Sequence, residues 1–195
     1  GPQAFADDIW RACNAIRECG LCPDFVDPDY CFAISYPGPT SAQNGASFQA
    51  HWDSRYRWGE YVAGVCTGHG SNIEFSPNPG SATLKRGPPA DVRAQEWPAG
   101  LEPVVKTLDS GFWRVRIRLP RRAIYVMSGA ARIDYKNGIA KQSASNLQPF
   151  PPPPAWNAYG LRRSLTLRCP QAYSDAVLAR IAGQRPDARA GRLVM

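Results

Sequence analysis

Two histidines, His51 and His69, are the residues of this sequence whose type most readily supports acid–base chemistry. His51 alternates with Asp53 and Arg55 in a polar pattern, and His69 stands between two glycines. As a pair they would serve as the acid and base of a secreted, metal-independent, nuclease-like hydrolase. The alternative interpretation is that His51 is an ordinary sheet residue and His69 fills a turn, since spacing alone does not bring two imidazoles together.

The sequence lacks the motifs that define common metal and cofactor sites. It has no Gly-x-Ser-x-Gly, no phosphate loop and no His-Glu-x-x-His. A metal site built from His51, Asp53 and His69 is conceivable but rests on spacing alone. Cys19 and Cys22 have the spacing of half a zinc site, but a structural zinc site usually has a second close pair of Cys or His. We therefore predict no metal and no cofactor.

Arginines alternate with apolar residues between positions 112 and 119. Alternate residues of a strand stand about 6.6 Å apart on one face, so Arg114, Arg116 and Arg118 would form a row of forked donors suited to phosphate, sulfate or carboxylate. Arg55 and Arg57 extend this row if their strand is its neighbour. With a net charge of +7, the pattern predicts a basic face for an anionic partner. The alternative is a solvated outer face whose arginines pair with Asp and Glu. In either case the buried face of this strand would carry Trp113, Val115, Ile117 and Leu119.

Three aromatic residues lie in loop or proline-rich sequence, where exposure is favoured: Trp97, Trp156 and Tyr159. Exposed aromatic side chains are typical contact points for protein partners. We therefore predict that these residues belong, with the arginine row, to a binding surface.

The chain has six cysteines, an even number, and four of them fall within the first 31 residues. Such clustering predicts a disulfide framework, which persists in oxidising compartments outside the cytoplasm. The predicted location is therefore extracytoplasmic, meaning secreted, periplasmic or at the cell surface. The cysteines assigned to disulfides are Cys13, Cys19, Cys22, Cys31, Cys66 and Cys169.

A helix is predicted near each end of the chain, at residues 7–19 and 171–182. In the first, Ile9, Cys13 and Ile16 recur at steps of three and four residues, which is the period of an amphipathic helix. Because Cys13 shares the inner face, we expect this helix to pack on the rest of the fold.

Between the helices, period-two alternation and turn residues predict β-structure. The predicted strands cover residues 30–36, 47–66, 72–75, 112–119, 123–127 and 161–169, and the segment 47–66 is predicted as two strands or one long bent strand. Asn137-Gly138 is the strongest type of short hairpin signal and is predicted as a turn. Residues 67–103 are dense in Gly, Pro, Ser and Asn, and are predicted to form a long loop around the short 72–75 strand.

The last predicted strand, 161–169, separates apolar from polar side chains. Its inward face is assigned to Leu165, Leu167 and Cys169. Its opposite face is assigned to Ser164, Thr166 and Arg168. If this strand lies beside the arginine row, Arg162 and Arg168 would add to the basic face.

Together these elements predict an α+β fold in one domain over residues 1–195: an N-terminal amphipathic helix, a disulfide-pinned antiparallel β-sheet over residues 30–169, and a short C-terminal helix. No apolar stretch is long enough to span a bilayer. The cysteines, the loop aromatics and the missing catalytic motif favour a non-enzymatic secreted or surface module for binding or assembly, similar in outline to pilin-like bacterial surface subunits. Its expected partners are another protein or further copies of itself, and a polyanion.

Overall fold

The computed structural model describes residues 2–20, 22, 25–36, 47–68, 70–78, 101–139, 162–170 and 178. Among these residues no helix is long and apolar enough to cross a membrane. In chain order the elements are α1 (Pro2–Glu18), β1 (Tyr30–Tyr36), β2 (Phe48–His51), β3 (Trp58–Gly68), β4 (Ser71–Pro77), β5 (Val104–Thr107), β6 (Trp113–Leu119), β7 (Ile124–Met127), α2 (Gly129–Ile133), β8 (Tyr135–Ile139) and β9 (Arg162–Pro170).

The strands form two antiparallel sheets, one of four strands in the order β1-β9-β3-β7 and one of five in the order β2-β8-β4-β6-β5. From β1 to β4, and again from β6 to β9, each strand lies in the sheet opposite to that of the strand before it. This alternation is the connectivity of a jelly roll. The predicted α+β fold around a single disulfide-pinned sheet is therefore wrong, because alternation within a strand does not reveal which sheet the strand joins.

Apolar side chains fill the space between the two sheets and also cover the outside of the four-stranded sheet. The inter-sheet core consists of Val62, Cys66, Ile73, Phe75, Val115, Leu119, Met127 and Tyr135. Helix α1 lies on the other face of the four-stranded sheet, where Cys13 and Ile16 pack with Ala63, Leu167 and Cys169. Strands β3 and β9 are therefore covered on both of their faces, and removing apolar surface from water on both sides stabilises them.

All six cysteines are free thiols, so the predicted disulfides are wrong. Cys13, Cys22 and Cys169 cluster because they are small hydrophobic residues at the interface between α1 and the sheet, and a buried thiol needs no partner there. Burial raises the pKa of Cys13, of Cys22 and of Cys31, and it raises the pKa of Cys169 to about 12. The extracytoplasmic location was predicted mainly from these disulfides, so it loses that support and stays a prediction.

Several predicted elements are confirmed, with shifted ends. Helix α1 begins earlier than predicted, at Pro2, and has Cys13 on its buried face as expected. The strands predicted at 30–36, 72–75, 112–119, 123–127 and 161–169 correspond to β1, β4, β6, β7 and β9. Strand β5 was not predicted. The C-terminal helix at 171–182 lies outside the described residues except for position 178, and so do residues 79–100 of the predicted loop.

Of two predictions about β2 and its neighbours, one is confirmed and one is wrong. The segment 47–66 forms two strands, as one of the two alternatives predicted, because β2 ends at His51 and a turn separates it from β3. Asn137 and Gly138 are not a hairpin turn but the middle of β8, which pairs with both β2 and β4. At Gly138 a Cβ atom would stand 2.8 Å from the carbonyl oxygen of Phe48, so the glycine allows β2 to approach closely.

Candidate functional site

The side chains of β9 alternate between two buried environments. Ser164, Thr166 and Arg168 line a cavity between the two sheets, whereas Arg163, Leu165 and Leu167 face the side of α1. Arg162 has the same parity as the first group and packs against β1 and β3. The face that was assigned to solvent from the sequence is therefore the face that builds the cavity.

The cavity has a volume of about 50 Å³, which is room for a few water molecules. Both sheets contribute to its lining, which includes Tyr36 from β1, Ile73 from β4, Tyr125 from β7 and Asn137 from β8. His51 and Asp53 line it as well. The cavity thus combines apolar walls with a small number of polar groups, which is typical of a ligand site.

Arg162 is a buried cation without an anionic partner among the described residues. Its side chain is 4% exposed, its guanidinium lies 4.7 Å from the centre of the Tyr36 ring, and Nη2 donates to the sulfur of Cys66 at 3.2 Å. Among the described residues, its buried Nε and Nη1 atoms have no hydrogen-bond partner. Leaving such donors unpaired costs free energy, so the arrangement favours an anion next to Arg162, beside Tyr36, which lines the cavity.

Tyr125 lies within the electrostatic influence of both Arg162 and Asp53. Burial raises the pKa of the Tyr125 phenol, and Asp53 raises it further while Arg162 lowers it. The ring packs so closely on β3 that a Cβ atom at Gly64 would overlap it. The phenol of Tyr125 is therefore neutral and is influenced by both charged groups, which links them to the same part of the cavity.

Asp53 and Arg168 form an ion pair at the edge of this cavity. Arg168 donates to Oδ1 of Asp53 through Nε at 2.9 Å and through Nη2 at 2.5 Å. Asn137 donates through Nδ2 to Oδ2 of Asp53 at 3.4 Å and to the carbonyl of His51 at 3.4 Å. His51 stands directly opposite Asn137 in the pairing of β2 with β8. Its Nδ1 lies 2.9 Å from the carbonyl oxygen of Gln49, so a protonated Nδ1 donates to that oxygen.

The turn between β2 and β3 is held against α2 by two arginines. Arg132 donates to the carbonyl of Asp53 at 2.9 Å and to the carbonyl of Ser54 at 2.9 Å. Arg55 donates to the carbonyl of Ile133 at 3.0 Å. These bonds satisfy buried carbonyl groups and fix the backbone of Asp53, which places its carboxylate at the cavity.

The arginine row predicted from the sequence lies away from the cavity. Arg114 and Arg116 are on the outer face of β6 and pair with Glu74 of β4 at 3.4 Å and 2.9 Å. The predicted burial of the other face is confirmed for Val115 and Leu119, whereas Trp113 and Ile117 are half-buried. Arg118 is half-buried as well.

The remaining predicted site residues do not join that row. Arg55 and Arg57 lie in the turn between β2 and β3, and Arg55 is buried. Arg57 is exposed, with its guanidinium 4.6 Å from the centre of the Trp58 ring. Of the predicted histidine pair, His51 lines the cavity. The residues that lie outside the described part of the chain are His69, Trp97, Trp156 and Tyr159.

The strand connectivity is that of a jelly roll, and the internal cavity is lined by Arg168, with Arg162 buried beside it. No known family profile matches the chain. The chain is similar to the alpha-ketoglutarate-dependent dioxygenase alkB homolog 4 of Mus musculus, with 27% identity over 133 residues. The match covers 66% of this chain and 42% of the mouse protein, so the chain spans less than half the length of that relative.

This similarity contradicts the function predicted from the sequence. The relative is named as a dioxygenase, and neither a surface-structure subunit nor a nuclease-like hydrolase is indicated. The predictions of a secreted or surface assembly module and of a His51–His69 hydrolase are therefore corrected. The free thiols remove the structural ground for the first, and for the second His51 shares its cavity with the ion pair of Asp53 and Arg168.

Proposed function

We propose that the cavity between the sheets binds a small dicarboxylate of the 2-oxo acid class, with α-ketoglutarate as the candidate ligand. The observation that carries this proposal is Arg162, which shares the cavity side of β9 with Ser164 and is buried with two nitrogen atoms that have no hydrogen-bond partner among the described residues. The name of the mouse relative supports the choice of ligand, since that protein depends on α-ketoglutarate.

Arginine suits this ligand because its planar guanidinium matches the geometry of a carboxylate. A carboxylate accepting from Nε or from Nη1 of Arg162 would neutralise the buried charge and satisfy one of the two donors. Hydrogen bonds of this charged kind contribute about 1.5–3 kcal/mol each. Arg162 is thus the principal anchor for one end of the ligand.

The other end of the cavity offers a second cation. Arg168 lies on the same face of the same strand and lines the cavity together with Tyr125. A carboxylate that reaches Arg168 would share this guanidinium with Asp53. The hydroxyl groups of Ser164 and Thr166 lie along the path between the two arginines.

The test measures α-ketoglutarate binding to three proteins by isothermal titration calorimetry: wild type, Arg162→Gln and Arg163→Gln. Arg163 is the matched control because it is the next residue of β9, carries the same charge and is exposed on the opposite face. We expect Arg162→Gln to weaken binding by about tenfold to a hundredfold and Arg163→Gln to leave it unchanged. Equal affinities of wild type and Arg162→Gln would refute the proposal.

A further inference from the structure

We infer that the cavity takes its 2-oxo acid without a metal ion, because the groups beside it form an ion pair with an amide rather than an iron site. The inference rests on the proposed function and specifies how that site works. Non-haem Fe(II) oxygenases hold their metal with two imidazoles and one carboxylate on one face, leaving positions open for ligands. The residues of this cavity can be compared with that set one by one.

Asn137 is the first residue of the cavity that differs from such an iron site. It occupies the position on β8 directly opposite His51, where a second imidazole would complete the set. Its Nδ2 group points at Oδ2 of Asp53 and at the carbonyl of His51, so a donor faces the place where a metal would need an acceptor. Within the described parts of the chain, no three His, Cys, Asp or Glu residues converge on a common point.

Asp53 is the second difference from an iron site, because its carboxylate is already neutralised by Arg168. Oδ1 accepts two bonds from Arg168, and Oδ2 faces Asn137. The side chain of Asp53 is almost fully buried, so a divalent cation would have to displace a guanidinium from a low-dielectric site. The charge of Arg168 would also repel a cation bound at Asp53.

His51 alone does not make up for these two changes. Its Nδ1 is used by the carbonyl of Gln49, which leaves Nε2 as the one ring nitrogen free for another contact. A single imidazole is a weak site for a divalent ion, whereas the guanidinium of Arg168 on the same cavity suits a carboxylate. The side chains therefore fit an anion and do not fit iron.

The first experiment measures Mn(II) binding by electron paramagnetic resonance, in which the sharp signal of the hydrated ion disappears when the ion is bound. Mn(II) is the probe because it prefers nitrogen and oxygen ligands and avoids the thiols of Cys13, Cys22 and Cys169. We expect no stoichiometric binding by wild type. We expect Asn137→His to raise the Mn(II) affinity by about tenfold or more, since a direct ligand should matter at least as much as an outer-shell partner.

Asn137→Gln is the matched control, because it keeps the amide and supplies no imidazole, and we expect it to behave as wild type does. Stoichiometric Mn(II) binding by wild type that is lost in Asp53→Asn would overturn the inference. An Asn137→His protein that folds and binds no more Mn(II) than Asn137→Gln would overturn the inference that Asn137 is the reason why wild type binds no metal ion.

The second experiment separates this inference from the proposed function. The affinity of wild type for α-ketoglutarate is measured with EDTA and again with Mn(II), and we expect equal values. Binding that requires Mn(II) would overturn the inference and leave the proposed function standing. Absence of binding under both conditions would refute the proposed function itself. Oxidation of α-ketoglutarate to succinate by the wild-type chain with Fe(II) and O₂ would also overturn the inference.

Discussion

Strands β6 and β9 both carry alternating arginines, yet they place them in opposite environments. Arg116 of β6 has a side chain that is 50% exposed, whereas Arg162 of β9 is 4% exposed. The difference arises because Arg162 lies on the face of β9 that is turned toward the five-stranded sheet, whereas Arg116 lies on the outer face of β6. Alternation therefore shows which residues share a face, but the neighbouring layers decide what that face meets.

The arginines of β6 and β9 also differ in their electrostatic environments. On β6 the arginines are balanced by Glu74 and lie in water, where such pairs contribute about 0–1 kcal/mol. On β9 Arg162 is buried without an anion among the described residues. A cation kept in a costly position points to a ligand site, whereas a solvated row of arginines needs no such explanation.

The largest expected effect concerns the outer face of β9. Leu167 is fully buried against α1, so Leu167→Ala should lower the free energy of unfolding by about 2–5 kcal/mol. Urea denaturation followed by circular dichroism measures this loss. Val104→Ala on β5 is the control, because Val104 is exposed and its truncation should cost little. A loss at Leu167 no larger than that at Val104 would show that α1 does not cover this face.

Much of the secondary structure could be predicted from the sequence because period-two patterns are strong on β1, β6 and β9. The sheet architecture could not, because nothing in a strand's own sequence names its neighbours. The cysteines illustrate a second limit: Cys13 and Cys169 approach each other through apolar packing, and sequence spacing alone suggested bonds between such residues. A cluster of cysteines can therefore result either from disulfide bonding or from the burial of free thiols.

Only part of the site was within reach of sequence reasoning. His51 was singled out, but Asp53 and Asn137 meet it through a turn and a strand pairing that local patterns do not reveal. Arg162 and Arg168 carried a usable signal, since they share parity with Ser164 and Thr166 on a strand whose other face is apolar. That polar set was assigned to solvent because the second sheet above it was unknown.

The next effect in size is a gain in stability. Arg162→Met removes a buried charge that lacks an anion among the described residues while it keeps an unbranched apolar stem, so it should raise the free energy of unfolding by about 1–3 kcal/mol when no ligand is present. The same variant should lose the stabilisation that α-ketoglutarate gives to wild type. Both are measured by urea denaturation with and without the ligand. A destabilised Arg162→Met protein would indicate that the guanidinium supports the fold instead of a ligand.

The free energy of unfolding measured as a function of pH, at alkaline values, is a second test of the outer face of β9. Burial raises the pKa of Cys169 to about 12, so the folded protein keeps this thiol protonated at a pH where the unfolded chain has lost the proton. The contribution of the Cys169 thiol to the free energy of unfolding is complete below pH 9. It is lost as the pH rises from about 9 to 12, at about 1.4 kcal/mol per pH unit. Cys169→Ala should flatten this decline, whereas Cys19→Ala, at an exposed position, should not. Equal slopes in the two variants would contradict the burial of Cys169.

The smallest effect is expected on the outer face of β6. Replacing Arg114 and Arg116 together by Gln removes two pairs with Glu74, but both arginine side chains are solvated, so the free energy of unfolding should fall by less than about 1 kcal/mol. The difference should shrink further at high salt, because exposed charges are screened within about 10 Å. The double variant should bind α-ketoglutarate as wild type does, since neither arginine lines the cavity. Calorimetry beside Arg162→Gln makes the contrast direct. A loss of affinity in the double variant comparable to that of Arg162→Gln would mean that the positive charge of the whole chain, rather than one buried guanidinium, attracts the carboxylate.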